Sequence, residues 1–515
     1  MKKILPKRYS RLQVWVVALV SAVVFFALGF SAVDNVLKFL LMIADLVLCG
    51  VLIHKLTGIE EYYGALIVRG VHGFRAMQYF AEKFAKQAVF ISELGLTIGM
   101  GLPYGFLLFK RSRNFVIYFL LSLAFFVFMG QVVFGGIFSA GFLPFVFSLA
   151  LGLLGIGIYF LASYAFLVLT VPATPPGVIP LIPGVTVPWE TIPALVIVLV
   201  VHELAHGVLA KIEKLQVKSS GLLLFGFLPI GAFVEPDDKK FEKTGIWTKR
   251  RVLIAGTTSN TLFFLIFLVV AAATSFALAS TVGAIQVQSV NENSTAFGLL
   301  SPGDAILAVD GTHYNFASDL RTALLQKAAT NATAEFELAN GVKKSVRFSE
   351  LIVRGVKEKS PSEGILRSGE ILFAADGQAL DTSEDLRRAI APLKSCESLS
   401  LETSAGKKSV TVGSDGKLGI ELAQQISVEF KDVPSNAFAY ALLYLLLVIF
   451  SYTFSLNFIL ATVNLLPIYI TDGDKLLAYE AHRKFGLENA KRIMLLLRLA
   501  CVGLLLLNAL PWFLH

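Results

Sequence analysis

The sequence predicts a polytopic α-helical membrane protein that also carries two small β-rich domains outside the membrane. Three observations predict this fold class. Of the 515 residues, 55% are hydrophobic, and several apolar runs are long enough to span a bilayer. A polar stretch, about 281–434, interrupts these runs and repeats itself internally. Basic residues cluster in short segments beside the apolar runs, where they set membrane orientation. We therefore attribute the net charge of +8 to residues that orient the protein in the bilayer. We infer no nucleic-acid partner from it.

The N-terminal region, residues 1–186, is predicted to cross the membrane several times. Basic residues precede the apolar run from Leu12 to about Ala32, which predicts a retained first span with a cytoplasmic N-terminus. A second run, about Val33 to Leu56, contains polar residues that we interpret as bundle-interior or interfacial contacts: Asp34, Lys38 and Asp45. The stretch Glu60 to Gln87 mixes basic and aromatic residues and predicts an amphipathic helix on the inner leaflet.

Three further apolar runs lie before residue 187, at about 94–109, 115–138 and 143–171. If all three are spans, five crossings precede the next helix, which then starts outside the cell and ends inside. This count places the basic loop Lys110–Arg113 outside, against the usual bias of Lys and Arg toward the cytoplasm. The Pro-rich stretch Val171–Pro193 becomes an extracytoplasmic connection.

One helix, predicted over Thr191–Lys214, carries an arrangement of residues that dictates a reaction. His202 and His206 are four residues apart, so on a helix they project from one face and can ligate one zinc ion. Glu203 lies beside them, within reach of a metal-bound water. The residues Ala194–Val201 are all apolar, and ionisable side chains in a lipid-buried stretch are costly unless they have a function. We therefore prefer zinc ligands to two unliganded histidines.

A carboxylate from a distant segment is predicted to complete this site. The run from about Ala437 to Leu466 ends at Pro467, which breaks the helix, and the turn at Asp472 can point a carboxylate at the histidine pair. Asp474 follows the glycine of this turn, next to Lys475. We interpret Asp474 and Lys475 as a solvated surface ion pair worth under about 1 kcal/mol.

Two shorter patterns lie between these segments. Gly221–Val234 is apolar but too short to span and too interrupted by Gly and Pro for a helix, which favours a membrane-associated, strand-like hairpin. Gly256 and Asn260 lie on one face of the run from Val252 to about Leu278, at about the depth of the histidines. Taken alone, this spacing indicates helix packing more often than chemistry.

The polar stretch contains two copies of one unit. The segment Ser301–Gly311 aligns without a gap with Arg367–Gly377, 66 residues later, and Asp319-Leu-Arg321 aligns with Asp385-Leu-Arg387. A turn, a short apolar strand, an Asp-Gly turn and a helix resemble the PDZ domain, which binds extended peptides at a strand edge. Generic β-rich spacers are the alternative.

Three separated motifs together resemble the site-2 protease family of intramembrane zinc metalloproteases. They are His202-Glu-Leu-Ala-His-Gly207, Gly256-Thr-Thr-Ser-Asn260 and Asn464-x-x-Pro-x-x-x-x-Asp-Gly473. The resemblance runs from about Val187 to the C-terminus. The tandem PDZ-like domains are similar to bacterial sigma-E-pathway members, and the multi-span N-terminal region is similar to archaeal relatives. Thr471 stands where Leu is commoner in the third motif.

This resemblance implies a three-helix metalloprotease core with a defined set of site residues. It implies zinc bound by His202, His206 and Asp472, Glu203 as general base, and Asn260 and Asn464 as substrate-binding residues. It also implies that the Gly221–Val234 hairpin presents an edge to an unwound substrate. The domain division is then 1–186, core helices 187–280, PDZ-like domains 281–350 and 351–434, and the last core segment 435–515.

The function expected from these features is regulated intramembrane proteolysis, the hydrolysis of peptide bonds in or near transmembrane helices of membrane-anchored substrates. The active site is expected near the cytoplasmic side of the cell membrane, with the PDZ-like pair outside. A non-catalytic receptor or scaffold that binds peptides is the alternative, and the intact Glu203 disfavours it. A metal transporter needs acidic or His residues on several spans around one path, and only Asp34 and Asp45 offer any.

Overall fold

The computed structural model describes residues 11–31, 33, 35–70, 73–171, 174–179, 183, 186–328 and 330–514. The basic N-terminal segment, Asp34 and part of the Pro-rich connection lie outside the described residues. The chain forms two compact units: a membrane unit (Met1–Ala272 with Leu447–His515) and an insert unit (Ala273–Leu446). Within the described residues, eight helices are long and apolar enough to cross a bilayer. The protein is therefore a multi-pass membrane protein.

The chain begins with two apolar helices that pack against each other. They are followed by two strands and a helix: α1 (Arg11–Gly29), α2 (Asn35–Thr57), β1 (Glu60–Tyr62), β2 (Ala65–Gly70) and α3 (Phe74–Lys83). Ser21 Oγ on α1 donates to Asp45 Oδ2 on α2 at 2.7 Å. The prediction that Asp45 makes a contact inside the bundle is confirmed.

The prediction of one helix over Glu60–Gln87 is wrong for its first half. Tyr63 and Gly64 both have positive φ, 53° and 89°, which is the two-residue turn that suits a β-hairpin. The β-branched and apolar residues of β2 then pair with a strand more than 140 residues later in the chain. The helix α3 agrees with the prediction. The first half was mispredicted because the spacing of apolar residues within one segment cannot reveal a strand partner far along the chain.

The predicted span at about 94–109 is instead a helical hairpin. Two helices form it, α4 (Ala85–Met100) and α5 (Leu102–Phe109), joined by Gly101 at φ 89°. A Cβ placed on Gly105 would lie 2.4 Å from the Thr97 side chain. In a straight helix these residues would be separated by about 12 Å along the axis. The second helix therefore folds back on the first and does not cross the membrane.

The predicted span at about 143–171, which is one of the eight helices by length and composition, also folds back on itself. The elements in this part are α6 (Phe115–Phe128), a π-helical turn (Met129–Val133) and α7 (Phe142–Thr170). Gly152 inside α7 has non-helical angles, φ 66° and ψ −147°. The rings of Phe147 and Tyr159 are 5.7 Å apart, although a straight helix would separate them by about 18 Å.

The two hairpins meet at their glycines. A Cβ on Gly152 would lie 2.2 Å from the Ile98 carbonyl oxygen, and a Cβ on Gly101 would lie 2.5 Å from the Ala150 carbonyl oxygen. Only glycine permits both this positive φ and this backbone approach. The two bends thus form one tightly packed junction.

The central part of the chain builds a four-stranded sheet beside two long helices. Its elements are α8 (Thr191–Ile212), β3 (Val217–Phe225), β4 (Leu228–Pro236), α9 (Asp238–Glu242) and α10 (Ile246–Ala279). The strand order is β1-β2-β3-β4, so β4 lies at the edge. Gly226, at φ 60°, turns the chain between β3 and β4. The hairpin predicted at Gly221–Val234 is confirmed.

The insert unit consists of two antiparallel sheets, each with one helix. Its elements are β5 (Val282–Val290), β6 (Ala305–Val309), α11 (Ala317–Ala328), β7 (Thr333–Leu338), β8 (Lys343–Arg347), β9 (Ser349–Val356), β10 (Ile371–Ala375), β11 (Gln378–Ala379), α12 (Ser383–Ile390), β12 (Ser398–Thr403), β13 (Gly406–Thr411), β14 (Ile420–Ile426) and β15 (Val428–Pro434). The strand orders are β15-β5-β6-β7-β8 and β13-β12-β10-β9-β14, with β11 paired to β10.

The two copies of the repeat have the same local structure. Asp310 and Asp376 both have positive φ, 49° and 47°, and each accepts a hydrogen bond from a backbone N–H of the neighbouring strand. The division between the copies differs from the predicted boundary. Residues 428–434 were assigned to the second domain, but β15 pairs with β5 of the first sheet. The second module is therefore inserted into the first.

The chain ends with four helices: α13 (Ala437–Val463), α14 (Asp472–Phe485), α15 (Leu487–Ala509) and α16 (Pro511–Leu514). Asp472 is the first residue of α14. The prediction that Asp474 is solvated is wrong, because its side chain is only 3% exposed and Arg498 on α15 donates two hydrogen bonds to it, each 2.7 Å. The α14–α15 turn brings these residues together, a contact that local sequence does not show.

Candidate metal centre

Three predicted ligands from two helices converge at one point. His202 and His206 lie one turn apart on α8, and Asp472 reaches them from the start of α14. Asp472 Oδ2 is 3.0 Å from His206 Nε2 and 3.5 Å from His202 Nε2, and the two imidazole nitrogens are 3.3 Å apart. Within the described residues, this is the group of His, Cys, Asp and Glu side chains whose ligand atoms can hold one metal ion.

The spacing of these three atoms fits a zinc ion. Tetrahedral ligands about 2.0–2.1 Å from zinc lie about 3.4 Å from one another, close to the observed separations. The donor set of two imidazoles and one carboxylate is a typical zinc set that leaves a fourth position open. Although burial raises the pKa of Asp472, the two histidines more than offset this and hold its pKa well below the usual range. This direction favours the ionised form, which a metal ligand requires.

The surroundings orient His206 by a hydrogen bond and leave space for both imidazoles. His206 Nδ1 is 2.7 Å from the Val252 carbonyl oxygen on α10, and since a carbonyl only accepts, Nδ1 carries the hydrogen. With its hydrogen on Nδ1, a neutral His206 keeps the Nε2 lone pair for a metal ion. A Cβ on Gly256 would lie 2.4 Å from His202 Nε2 and 2.5 Å from His206 Nε2. Glycine at this position therefore gives the imidazoles the space they occupy.

Glu203 lies next to the ligand group and is held by the sheet. Its Oε2 accepts a hydrogen bond from the Val234 backbone N–H on β4 at 3.0 Å. The helix α8 packs along β4, so the general-base candidate lies between the ligand group and the edge of the sheet. The backbone groups of Val234 and Val252 were missed at the sequence level, because no residue type marks them.

Comparison with known proteins identifies the family. The family model described as peptidase family M50 matches residues 190–507, more than half of the chain. The chain belongs to peptidase family M50, the site-2 protease family. An uncharacterized protein of Methanocaldococcus jannaschii is 35% identical over 146 residues, which cover 28% of this chain and 36% of that relative. This match therefore spans little more than a third of the archaeal relative. Family membership supports an intramembrane metalloprotease.

The two asparagines predicted to bind substrate occupy different environments in the M50 chain. Asn464 lies against the ligands: its Nδ2 donates to Asp472 Oδ2 at 2.8 Å and is 3.3 Å from His202 Nε2. Asn260 is fully buried on α10, and its amide atoms have no hydrogen-bond partner among the described residues. A substrate role for either residue stays a prediction, and only Asn464 lines the cavity described next.

A cavity of about 610 Å³ opens beside the ligand group. It is lined by His202, Glu203, His206, Asn464, Asp472 and the β4 residues 232–236. Arg69 on β2 and Tyr479 on α14 also face it, and Tyr479 donates to Glu242 on α9 at 2.6 Å. In this M50 chain, the ligands, the base candidate and a sheet edge therefore share one accessible space.

Replacing Gly256 with alanine should weaken zinc binding by about 10- to 100-fold, because the new methyl group would displace both imidazoles. The matched control is Gly503→Ala on α15, where a Cβ meets nothing within 4 Å. Zinc per protein after dialysis against a chelator checks the prediction. Equal zinc retention in the two variants would show that Gly256 does not shape the site.

Proposed function

We propose that this chain is a zinc metalloprotease that hydrolyses peptide bonds in or near transmembrane helices of membrane-anchored substrates. The convergence of His202, His206 and Asp472 beside Glu203, inside a membrane unit, carries the proposal. His202, His206 and Asp472 would hold a zinc ion, which would supply Lewis acidity for the hydrolysis of a peptide bond.

The chain's own residues supply the proton transfer and the orientation. Glu203 is placed to take a proton from the attacking water and to return it to the departing amine. Asn464 donates to Asp472 and keeps that carboxylate turned toward the histidines. The Val252 carbonyl fixes the tautomer of His206. Glu203, His206 and Val252 lie on helices and Asn464 follows the end of α13 directly, which keeps the constellation rigid.

The edge of the sheet supports a substrate in extended form. Peptide bonds in a helix are shielded, so a transmembrane substrate must unwind before hydrolysis. Strand β4 ends the sheet and lines the cavity, and an extended chain can pair with such an edge through its backbone. Glu203 would then lie beside the paired segment, since it already contacts Val234 of β4.

A reconstituted cleavage assay tests this proposal. The purified protein in liposomes is expected to cut a protein with one transmembrane helix, to lose activity with a chelator and to regain it with added zinc. Mass spectrometry of the products should locate the cut in the apolar segment. Binding of the substrate without any cut would instead favour the receptor or scaffold alternative.

A cytoplasmic location of the sheet is also part of the proposal. Pairing of β2 with β3 requires an even number of crossings between them, and α6 and α8 provide two when the α4–α5 and α7 hairpins do not span. The loop Lys110–Arg113 then shares a side with Lys211, in accord with the bias of basic loops toward the cytoplasm. The earlier conflict over this loop disappears.

Labelling with a membrane-impermeant maleimide tests the orientation. Cys396 of the insert unit is exposed, whereas Cys49 and Cys501 are buried. In intact cells Cys396 should react, which would support an extracytoplasmic PDZ-like pair. Cysteine introduced by Ser112→Cys in a Cys396→Ser background should react only after permeabilisation. The reverse pattern would invert the proposed topology.

The second module offers a groove for a peptide partner. A cavity of about 610 Å³ lies between α12 and β14, and β14 ends its sheet. Lys357, Arg387 and Lys417 line it, so an extended peptide with a carboxylate suits its charge. Lys417→Glu should weaken binding of a fluorescent peptide acid about tenfold or more, while Lys343→Glu in the first module should not. Equal affinity in both variants would argue against this groove.

A further inference from the structure

We infer that a buried ion pair between Arg250 and Glu480, completed by Tyr104, is a positioning device that holds Asp472 against the two histidines. We call these three residues the α14 brace. The inference rests on the proposed zinc site and extends it to residues that bind neither metal nor substrate. It also gives the N-terminal region a part in the metal centre.

The geometry of the brace is that of a strong, fixed contact. Arg250 Nε donates to Glu480 Oε1 at 2.6 Å, and Arg250 Nη2 donates to Oε2 at 3.0 Å. Tyr104 on α5 donates its hydroxyl hydrogen to Glu480 Oε1 at 2.9 Å. The side chains of Arg250 and Glu480 are only 3% and 14% exposed. A two-point arginine–carboxylate contact fixes the relative orientation of its partners as well as their distance.

Both ends of the ion pair lie on helices that position candidate zinc ligands. Arg250 is two residues before Val252, whose carbonyl orients His206. Glu480 is on α14, the helix that begins with Asp472. The brace therefore ties the stretch of α10 that orients one ligand to the helix that carries another. The Lys249 ammonium, 4.1 Å from the centroid of the Tyr479 ring, is a second contact between the same two helices.

The N-terminal region supports the same segment from a second direction. Gly99 on α4 faces Leu465, where a Cβ would lie 3.3 Å from the Leu465 Cδ1 atom. Leu465 in turn packs against Gly473, next to Asp472. Residues 190–507 match the family, so Tyr104 and Gly99 lie outside that match. The folded-back α4–α5 hairpin thus supports the segment that carries Asp472.

The adjacent residue provides a matched control. Arg251 on α10 pairs with Glu93 on α4 at 2.5 Å and with Glu213 at 2.9 Å. These carboxylates are buried to the same degree as Glu480, at 13% and 14% exposure. Neither of them is on α14. Loss of this pair should cost stability without moving Asp472.

The experiment compares zinc affinity in Glu480→Gln, Tyr104→Phe and Glu93→Gln. Competition with a chromophoric chelator in detergent gives the zinc Kd, and the visible absorption of the cobalt-substituted proteins reports the coordination geometry. Glu480→Gln should raise the zinc Kd about 10- to 100-fold and alter the cobalt spectrum. Tyr104→Phe removes one hydrogen bond and should show a smaller change in the same direction. Glu93→Gln should leave the zinc Kd and the cobalt spectrum as in the wild type, although its unfolding midpoint should fall by about as much as that of Glu480→Gln.

The possible outcomes separate the brace from the proposed function. Wild-type zinc affinity in Glu480→Gln and Tyr104→Phe would overturn the brace alone, as would equal losses in Glu93→Gln. A wild-type protein that binds no zinc would overturn the proposed function and the brace with it. If Glu480→Gln does not fold, Tyr104→Phe against Glu93→Gln decides the question, because it disturbs no charge.

Discussion

Replacing Glu203 with glutamine should lower the cleavage rate by about 10²- to 10⁴-fold while zinc per protein stays at the wild-type level. Glutamine has nearly the same shape, but it cannot take a proton from the attacking water. Its side-chain oxygen can still accept from Val234 N–H, so the contact with β4 should persist. The measurement is the initial rate of cutting of a single-span substrate in liposomes.

The control for this variant is Glu235→Gln on β4. Glu235 lines the same cavity, but the structure pairs it with Ser219 and not with the ligand group. It should keep activity within a few-fold of the wild type. A Glu203→Gln protein that cuts at a near wild-type rate would rule out Glu203 as the base.

Replacing Asp472 with alanine should remove most of the bound zinc and abolish turnover. Two imidazoles alone leave the ion under-coordinated for a catalytic site, and a missing ligand lowers the affinity sharply. The neighbouring carboxylate supplies the comparison. Asp474→Ala should keep far more zinc per folded protein than Asp472→Ala, because Asp474 points to Arg498 and not to the histidines.

The Asp474 variant should still differ from the wild type in its stability. Its carboxylate is buried and fully paired, so its removal leaves the Arg498 guanidinium without its partner and costs roughly 1–3 kcal/mol. Thermal unfolding should show this loss. Zinc lost from Asp474→Ala but kept in Asp472→Ala would show that the third ligand has been misassigned.

The side chains that converge in the candidate metal centre could be predicted because their signals are local. Two histidines at helical spacing fix a shared face, and Pro467 followed by Asp472 marks a helix break with a carboxylate beyond it. The β3–β4 hairpin was also predictable, since Gly and Pro interrupt an apolar run too short to span. In each case one short segment carries the whole pattern.

The parts that were mispredicted depend on contacts between distant segments. Hydropathy measures how apolar a run is but not whether the chain reverses within it. The two apolar runs that bend at Gly101 and Gly152 were therefore predicted to be spans. The partner of β2 is a strand far along the chain. Asp474 looked solvated beside Lys475 because Arg498 reaches it only after α15 folds back.

The pairing of β5 with β15 has a consequence for how this protein can change. The insert closes on itself before the chain continues, and Ser435 N–H donates to the Thr281 carbonyl at 2.8 Å, so its two ends are adjacent. A segment whose two ends are adjacent is a self-contained domain insertion. It can be exchanged for another domain, or shortened to a tight turn, without a long linker and with little chain entropy to offset. Evolution or an engineer can thus replace the insert while the candidate ligand residues stay as they are.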